Sequence, residues 1–199
     1  VYAPGVTVLV PLKPLAEAKS RLRGAAAGHE DLVLDLARAT VSAALAADGV
    51  ARVLVVTRDP RATAALRDCG ADVLPDEGRD LNDALRRAES AVTGRGSRVV
   101  ALPADVPALR PAELAEALAG AGRRRAFVPD AAGVGTVLLV AAPGEPLDPR
   151  FGPGSAAAHE RSGAVRLAGA WPTLRRDVDT ADDLAVVRAW GVLRAESTA

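Results

Sequence analysis

Lysine occurs at only two positions in this chain, Lys13 and Lys19, and both lie in the loop after its first apolar run. Arginine supplies all the rest of its 25 basic residues. The loop belongs to the stretch from Val6 to Leu22, VTVLVPLKPLAEAKSRL. Two compact ammonium groups there, followed by Ser20 and Arg21, suit an anion held at the carboxyl end of a sheet, where open α/β sheets bind ligands. Two acids complement them. Asp105 directly follows the apolar run Arg98 to Leu102 and is held between Pro103 and Pro107. Asp179 stands in RDVDTADDL, ahead of the last predicted helix. A carboxylate in such a setting can hold a hard cation such as magnesium through oxygen. Each has an ordinary use as well, Asp105 as a turn or cap residue and Asp179 or Thr180 as a helix cap. Two aspartates at one sheet edge are better explained together, as a metal pair.

Two glycine stretches form the third candidate, Gly133-Val134-Gly135-Thr136 and Gly152-Pro153-Gly154-Ser155. Glycines let backbone N–H groups approach a phosphate, and a hydroxyl with a helix N-terminus completes the cradle. Neither stretch has the P-loop pattern or GxGxxG after a first strand, and tight turns use the same residues. Two separate cradles suit a reaction between two phosphorylated substrates.

The elements that must position these groups follow from apolar patterning. Val6 to Val10 is β-branched and short, as a buried strand requires. A helix is predicted from about Asp31 to Ala47, with Leu32, Leu36, Ala39 and Ala43 at helical spacing. Gly24 to Gly28 reads as a connector. Further strands are expected at 52–57, 71–74, 98–102, 126–128, 136–141 and 165–167, with a shorter one over 174–178 ahead of Asp179. Helices are expected after Asp59-Pro60, from Asp80 to about Thr93, from Pro111 to about Leu118, over 156–161 and over 181–189. Asn82, in the first turn of its helix, should face the same sheet end as the lysine loop. Four alternations of strand and helix in the first part of the chain predict a mostly parallel sheet.

Composition excludes several functions. The chain has 199 residues, enough for a substantial core and read as a single domain over 1–199. With 3% aromatics and no methionine, that core must be built from Val, Leu and Ala. Formal charge is zero, so no bulk attraction to nucleic acid or to an anionic membrane is implied. Cys69 is the only cysteine, and His29 and His159 lie far apart, which gives a disulfide, a zinc site or a triad little support. No apolar run has the length of a membrane span and the first residues lack a signal pattern, so a cytoplasmic protein is expected.

Several of these stretches together resemble the guanylyltransferases of deazaflavin coenzyme F-420 biosynthesis. They are VPLKPLAEAKSRL, LNDAL, LPADVPAL, GVGTVLL, FGPGSAAAH and RDVDTADDL, running from about Val8 to Leu184. The resemblance implies a three-layer α/β/α architecture with a mostly parallel mixed sheet, the Rossmann-like nucleotide-diphospho-sugar transferase fold. It implies GTP-dependent transfer of GMP onto the phosphate of phosphoenolpyruvate or 2-phospho-L-lactate, with magnesium as cofactor. A downstream transferase that takes up the labile product is an implied partner. Carried over residue by residue, Asp105 and Asp179 would hold the metal. Pro11, Lys13, Lys19, Asn82 and Pro103 would lie at the nucleotide, and Thr136, Gly152 and Ser155 at the acceptor. Lys13, Lys19, Asp105 and Asp179 would be the catalytic set. Val134 departs from the family pattern, which has a small hydroxyl residue there.

The chemistry is consistent with this set. A phosphate acceptor is already a nucleophile at neutral pH, so no general base is needed, and catalysis consists of positioning and charge neutralisation. Abundant alanine and arginine suggest a GC-rich bacterial source and so phosphoenolpyruvate. Two rivals share parts of the pattern: cytidylyl or uridylyl transfer to another phosphorylated acceptor, and a nucleotide-binding module without turnover. LPADVPAL alone fits the first rival, but FGPGSAAAH does not, and retention of both aspartates argues against the second.

Overall fold

The computed structural model describes residues 5–24, 28–92 and 98–193. Its core is a seven-stranded sheet in the order β3-β2-β1-β4-β6-β5-β7. The strands are β1 (Val6–Pro11), β2 (Val50–Val56), β3 (Asp72–Leu74), β4 (Val99–Ala101), β5 (Ala126–Pro129), β6 (Thr136–Val140) and β7 (Val165–Arg166). The helices are α1 (His29–Leu45), α2 (Pro60–Asp68), α3 (Leu81–Val92), α4 (Pro111–Ala121), α5 (Ser155–Arg161) and α6 (Ala181–Ala189). Strands β1 to β4 are mutually parallel, and β6 runs antiparallel to both β4 and β5. This is the mostly parallel, mixed sheet expected. The expected end of α3 at Thr93 and the middle of the 24–28 connector lie outside the described residues.

Burial on both faces explains why β1 reads as an unbroken apolar run. Successive side chains of a strand point to opposite faces. Val8 and Val10 accordingly pack with Val33 and Ala37 of α1, Leu66 of α2 and Leu114 of α4. Leu9 packs on the other face with Leu85 and Ala88 of α3 and Ala156 of α5. A third cluster joins Leu184 and Val187 of α6 to Leu32 and Leu36 of α1 and to Val178. The three layers follow from this division.

Local chemistry sets the boundaries. Asp59 caps α2, accepting from the N–H groups of Arg61 and Ala62 at 2.9 Å each, with Pro60 in the tolerated first turn. Asp80 accepts from the Asp83 N–H at 2.9 Å at the start of α3. Thr180 caps α6 in a capping box with Asp183, so of the two candidate caps it is Thr180 that serves, and the Asp179 carboxylate is released for other contacts. One expected element is absent: Leu174 to Val178 forms a turn followed by extended chain, outside the sheet. The buried face of α1 is also rotated from its expected position. Leu32 and Leu36 are buried as expected, but the rest of the face runs through Val33, Ala37, Thr40, Val41 and Ala44, leaving Ala39 and Ala43 only half-buried.

Candidate active site

The lysine loop is fixed at both ends. Leu12 donates to Val56 O at 2.9 Å, and Leu15 donates to the second carboxylate oxygen of Asp59 at 2.9 Å. Burial alone would raise the Asp59 carboxyl; the bonds from Ala62, Leu15 and Arg61 outweigh it and hold it below its usual value. Leu12, Leu15, Ala18 and Leu22 are buried, so the charged residues between them have little choice but the cleft or solvent. Lys13 is exposed. Lys19 adopts a left-handed backbone, φ 52°, uncommon for a residue with a side chain.

The Lys19 ammonium pairs with both Asp105 and Asp179. Burial acts to lower its pKa, but the two carboxylates prevail and raise it. Asp177 completes the group: one oxygen from each of Asp105, Asp177 and Asp179 lies within 4.8 Å of the others. The expected convergence of Asp105 and Asp179 is therefore present, with a third acid that sequence reasoning passed over. Its signal was RDVDT, where two aspartates two residues apart on an extended chain must share one side. Burial first, then the charges of Asp105 and Asp179, push the Asp177 carboxyl up to about 7. One oxygen of Asp105, Oδ1, is buried without a hydrogen-bond partner. An orphaned carboxylate oxygen beside two more acids is a poor arrangement for the protein alone and a good one for a hard divalent ion. The residues fit such an ion.

Asp105 is held by a residue that the sequence did not flag. Thr40 of α1, fully buried, accepts from Val106 N–H at 3.0 Å and lies 3.3 Å from the Ala104 carbonyl. The single hydroxyl proton has a nearer acceptor in the Leu36 carbonyl at 2.8 Å, so the neighbour of Asp105 that this hydroxyl pins is Val106. Thr40 stands one helical turn after Leu36, within the apolar stripe, where a hydroxyl must find partners.

These groups open onto a cleft of about 450 Å³ lined by Pro11, Lys13, Lys19, Pro103, Asp105 and Asp179. Phe151, Leu81 and Leu85 supply apolar wall. Asn82 is not part of that lining. Its amide instead makes a two-bond clamp on Phe151, donating to the carbonyl at 2.9 Å and accepting from the N–H at 2.8 Å.

Thr136, Gly152 and Ser155 come together on the antiparallel side of the sheet. Because β6 runs against β4, its first residue, Thr136, points back toward the edge where the parallel strands end. Gly152 and Gly154 have positive φ of 141° and 71°, conformations that a side chain would oppose. Ser155, buried, gives its N–H to Gly152 O at 3.1 Å, so that N–H serves the turn rather than a phosphate as expected. The Ala156 N–H goes to Val134 O at 3.0 Å. Val134 itself exposes 59% of its surface, so the departure at this position affects solvent-facing atoms while the backbone bonds remain. Thr136 is buried with its hydroxyl 2.9 Å from Nδ1 of His159, a residue given no role from the sequence.

Comparison with known proteins accounts for this combination. Residues 6–187 match the family described as guanylyl transferase CofC like. The chain belongs to that family. A phosphoenolpyruvate guanylyltransferase of Salinispora arenicola is 54% identical over 192 residues, covering 94% of this chain and 89% of the relative. Among solved structures, one from Desulfovibrio desulfuricans put forward as a nucleotide-diphospho-sugar transferase superposes with TM-score 0.72 at 18% identity, over 96% of this chain and 89% of its own. A nucleotidyl transferase from Methanothermobacter gives TM-score 0.66 at 19% identity, over 94% and 98%. The architecture is that of the nucleotide-diphospho-sugar transferases, as expected. Membership in the CofC-like family makes the chain a nucleotidyltransferase. Among the described residues no helix is long and apolar enough to cross a membrane.

Proposed function

We propose that this chain moves GMP from GTP onto the phosphate of phosphoenolpyruvate, releasing pyrophosphate, as a step of coenzyme F-420 biosynthesis. The observation that carries the reading is the cluster of Asp105, Asp177 and Asp179 around Lys19 in the cleft, beside the Thr136–Gly152–Ser155 group. An oxygen of the acceptor phosphate forms a bond to the α-phosphorus of GTP. The bond from that phosphorus to the oxygen bridging to the β-phosphate breaks, and pyrophosphate leaves with its electrons. No proton has to be removed, because the acceptor phosphate is ionised at neutral pH.

Lys13 and Lys19 hold the triphosphate, with Pro11 and Pro103 shaping the walls around it. The left-handed turn at Lys19 aims its ammonium into the cleft between the acids. Thr136, Gly152 and Ser155 hold the acceptor. Asn82 acts through Phe151, keeping that loop against the cleft. Magnesium, held by Asp105, Asp177 and Asp179, would supply charge neutralisation on the phosphates. A single domain performs the reaction, and both substrates are charged metabolites of the cytoplasm. Its phosphoric anhydride product is labile, which suits transfer to a downstream enzyme.

Pyrophosphate release tests this directly, with GTP, ATP, CTP and UTP each offered against phosphoenolpyruvate, 2-phospholactate and 3-phosphoglycerate. GTP with phosphoenolpyruvate should be fastest. A clear preference for CTP or UTP would move the chain to cytidylyl or uridylyl transfer. Nucleotide binding without any release would make it a non-catalytic module.

A further inference from the structure

His159 is completely buried on α5, and no step of the transfer uses it. Its ring lies edge-on to Phe151 at 5.2 Å and tilted against Phe127 at 5.9 Å. Both nitrogens are engaged. Nε2 stands 2.9 Å from the backbone N of Arg150, and Nδ1 stands 2.9 Å from the Thr136 hydroxyl. A backbone N–H can only donate, so Nε2 must offer a lone pair. A neutral imidazole with Nε2 unprotonated carries its proton on Nδ1. That proton goes to Thr136 Oγ1.

The ring stays neutral for physical reasons. Burial first, then the Arg125 charge with a smaller push from Arg150, bring it down to about 4 against the opposing Asp148 carboxylate and the Ser155 backbone. Thr136 therefore accepts from the protein through a lone pair. Its own O–H has no acceptor among the described residues, although Thr136 is only 7% exposed. A buried hydroxyl proton without a partner calls for one from a ligand.

We propose that His159 is a positioning residue of the acceptor site, which by donating from Nδ1 commits the Thr136 hydroxyl to donate to an anionic oxygen of the acceptor. Through Nε2 the same ring holds Arg150, the residue that leads into Phe151 and the glycine turn. This rests on the reading that Thr136, Gly152 and Ser155 bind the acceptor. The last residue of FGPGSAAAH thereby acquires a role. One turn after Ser155, it sets the direction of a hydrogen bond on the neighbouring strand.

The test uses the full chain and four variants, with KM for phosphoenolpyruvate and for GTP, kcat and Tm measured for each. The amide nitrogen of Asn falls near Nδ1 and can donate to Thr136, whereas the longer Gln reaches Nε2 and leaves Thr136 without its donor. Thr136→Val should raise the phosphoenolpyruvate KM about tenfold and leave the GTP KM unchanged, as the loss of one charge-assisted bond predicts. His159→Gln should raise it about fivefold with the same selectivity, and His159→Asn should restore much of the loss. The double variant Thr136→Val/His159→Gln should be no worse than Thr136→Val alone, because the ring acts through that hydroxyl.

A phosphoenolpyruvate KM untouched by Thr136→Val would overturn the acceptor-site reading itself. A Thr136→Val effect beside a wild-type KM in His159→Gln, or an equal rise for both substrates, would overturn the role of His159 alone. Should the His159 variants fail to fold, nitrogen-15 spectra of the wild-type imidazole decide. Phosphoenolpyruvate is added to protein holding a GTP analogue with a methylene bridge between the α and β phosphorus atoms. A ring protonated at Nδ1 whose proton resonance moves on that addition supports the proposal. A ring protonated at Nε2, or an Nδ1 proton that does not respond, overturns it.

Discussion

The backbone N–H of Val178 donates to the carbonyl oxygen of Asp105 at 2.9 Å. This one bond joins the loop after β4 to the extended segment before α6, and it sets the register of the acidic cluster. With Val178 turned inward onto Leu22, Leu32 and Leu36, the residues on either side, Asp177 and Asp179, must face the opposite way. There they meet Asp105 and the Lys19 ammonium.

A divalent ion held as proposed would therefore compete with Lys19 for the same carboxylates. Lys19→Met should lower Tm in the absence of divalent ions, because three acids are left without their cation. Added magnesium should then raise Tm further in the variant than in the wild type, while turnover stays low. Thermal unfolding with and without magnesium chloride measures this. Equal magnesium-induced shifts in the two proteins would show that the ammonium and the ion do not share a place.

Thr40→Val keeps shape and removes the hydroxyl that pins Val106, the residue after Asp105. The Val106 N–H would then be buried without a partner, at a cost of about 1–3 kcal/mol. Denaturant unfolding should show a loss in that range, and turnover should fall along with it as Asp105 drifts. An unchanged midpoint would mean that another group takes over the N–H.

Asn82→Ala should loosen Phe151 and the glycine turn behind it. The expected result is a rise in the acceptor KM larger than the rise in the GTP KM, with a modest drop in Tm from two lost neutral hydrogen bonds of about 0.5–1.5 kcal/mol each. The opposite ratio of KM changes would return Asn82 to direct contact with the nucleotide.

His159 ties stability to pH. Its pKa falls from 6.5 in the unfolded chain to about 4 in the folded one. Above pH 6.5 the ring is neutral in both states and contributes no pH dependence. As pH drops below 6.5, the unfolded chain takes up a proton that the folded chain refuses, so stability falls. At 1.36 kcal/mol per pKa unit the loss approaches about 3 kcal/mol near pH 4. Tm measured from pH 7.5 to 4.5 should decline less steeply for His159→Gln than for the wild type. Parallel curves would remove His159 from the acid response.

Groups close in sequence to a strand end were legible without coordinates. The apolar run of β1, its stop at Pro11 and the confinement of lysine to the next loop located one side of the cleft. Asp105 was legible because it follows β4 at once. Asp179 was found for a partly mistaken reason, since the strand expected before it is extended chain held by the Val178 bond. The Phe151 clamp of Asn82 and the bonds of Thr40 and His159 were passed over for one physical reason. Each residue acts through side-chain bonds to segments distant in sequence, Asn82 to Phe151, Thr40 to Val106 and His159 to Thr136. Such bonds leave no periodic trace, and only the packed fold reveals them.

The seam between the parallel and antiparallel parts of the sheet has a kinetic meaning. Lys19 and the acids hang from the β1–β4 side, Thr136 and His159 from the β5–β6 side, and β4 meets β6 through Val100 with Val140 and Ala101 with Leu139, with the Ala141 N–H adding a bond to Val99 O at 3.0 Å. On the proposed placement of the two substrates, those rungs gauge the distance between nucleophile and electrophile. A displacement of about one ångström there would misalign two correctly bound substrates while leaving both affinities intact. In a reaction whose catalysis is mostly alignment, such a displacement costs rate rather than binding. On the proposed substrate placement, Leu139, fully buried and outside the cleft lining, would thus act as one of the calipers of the enzyme.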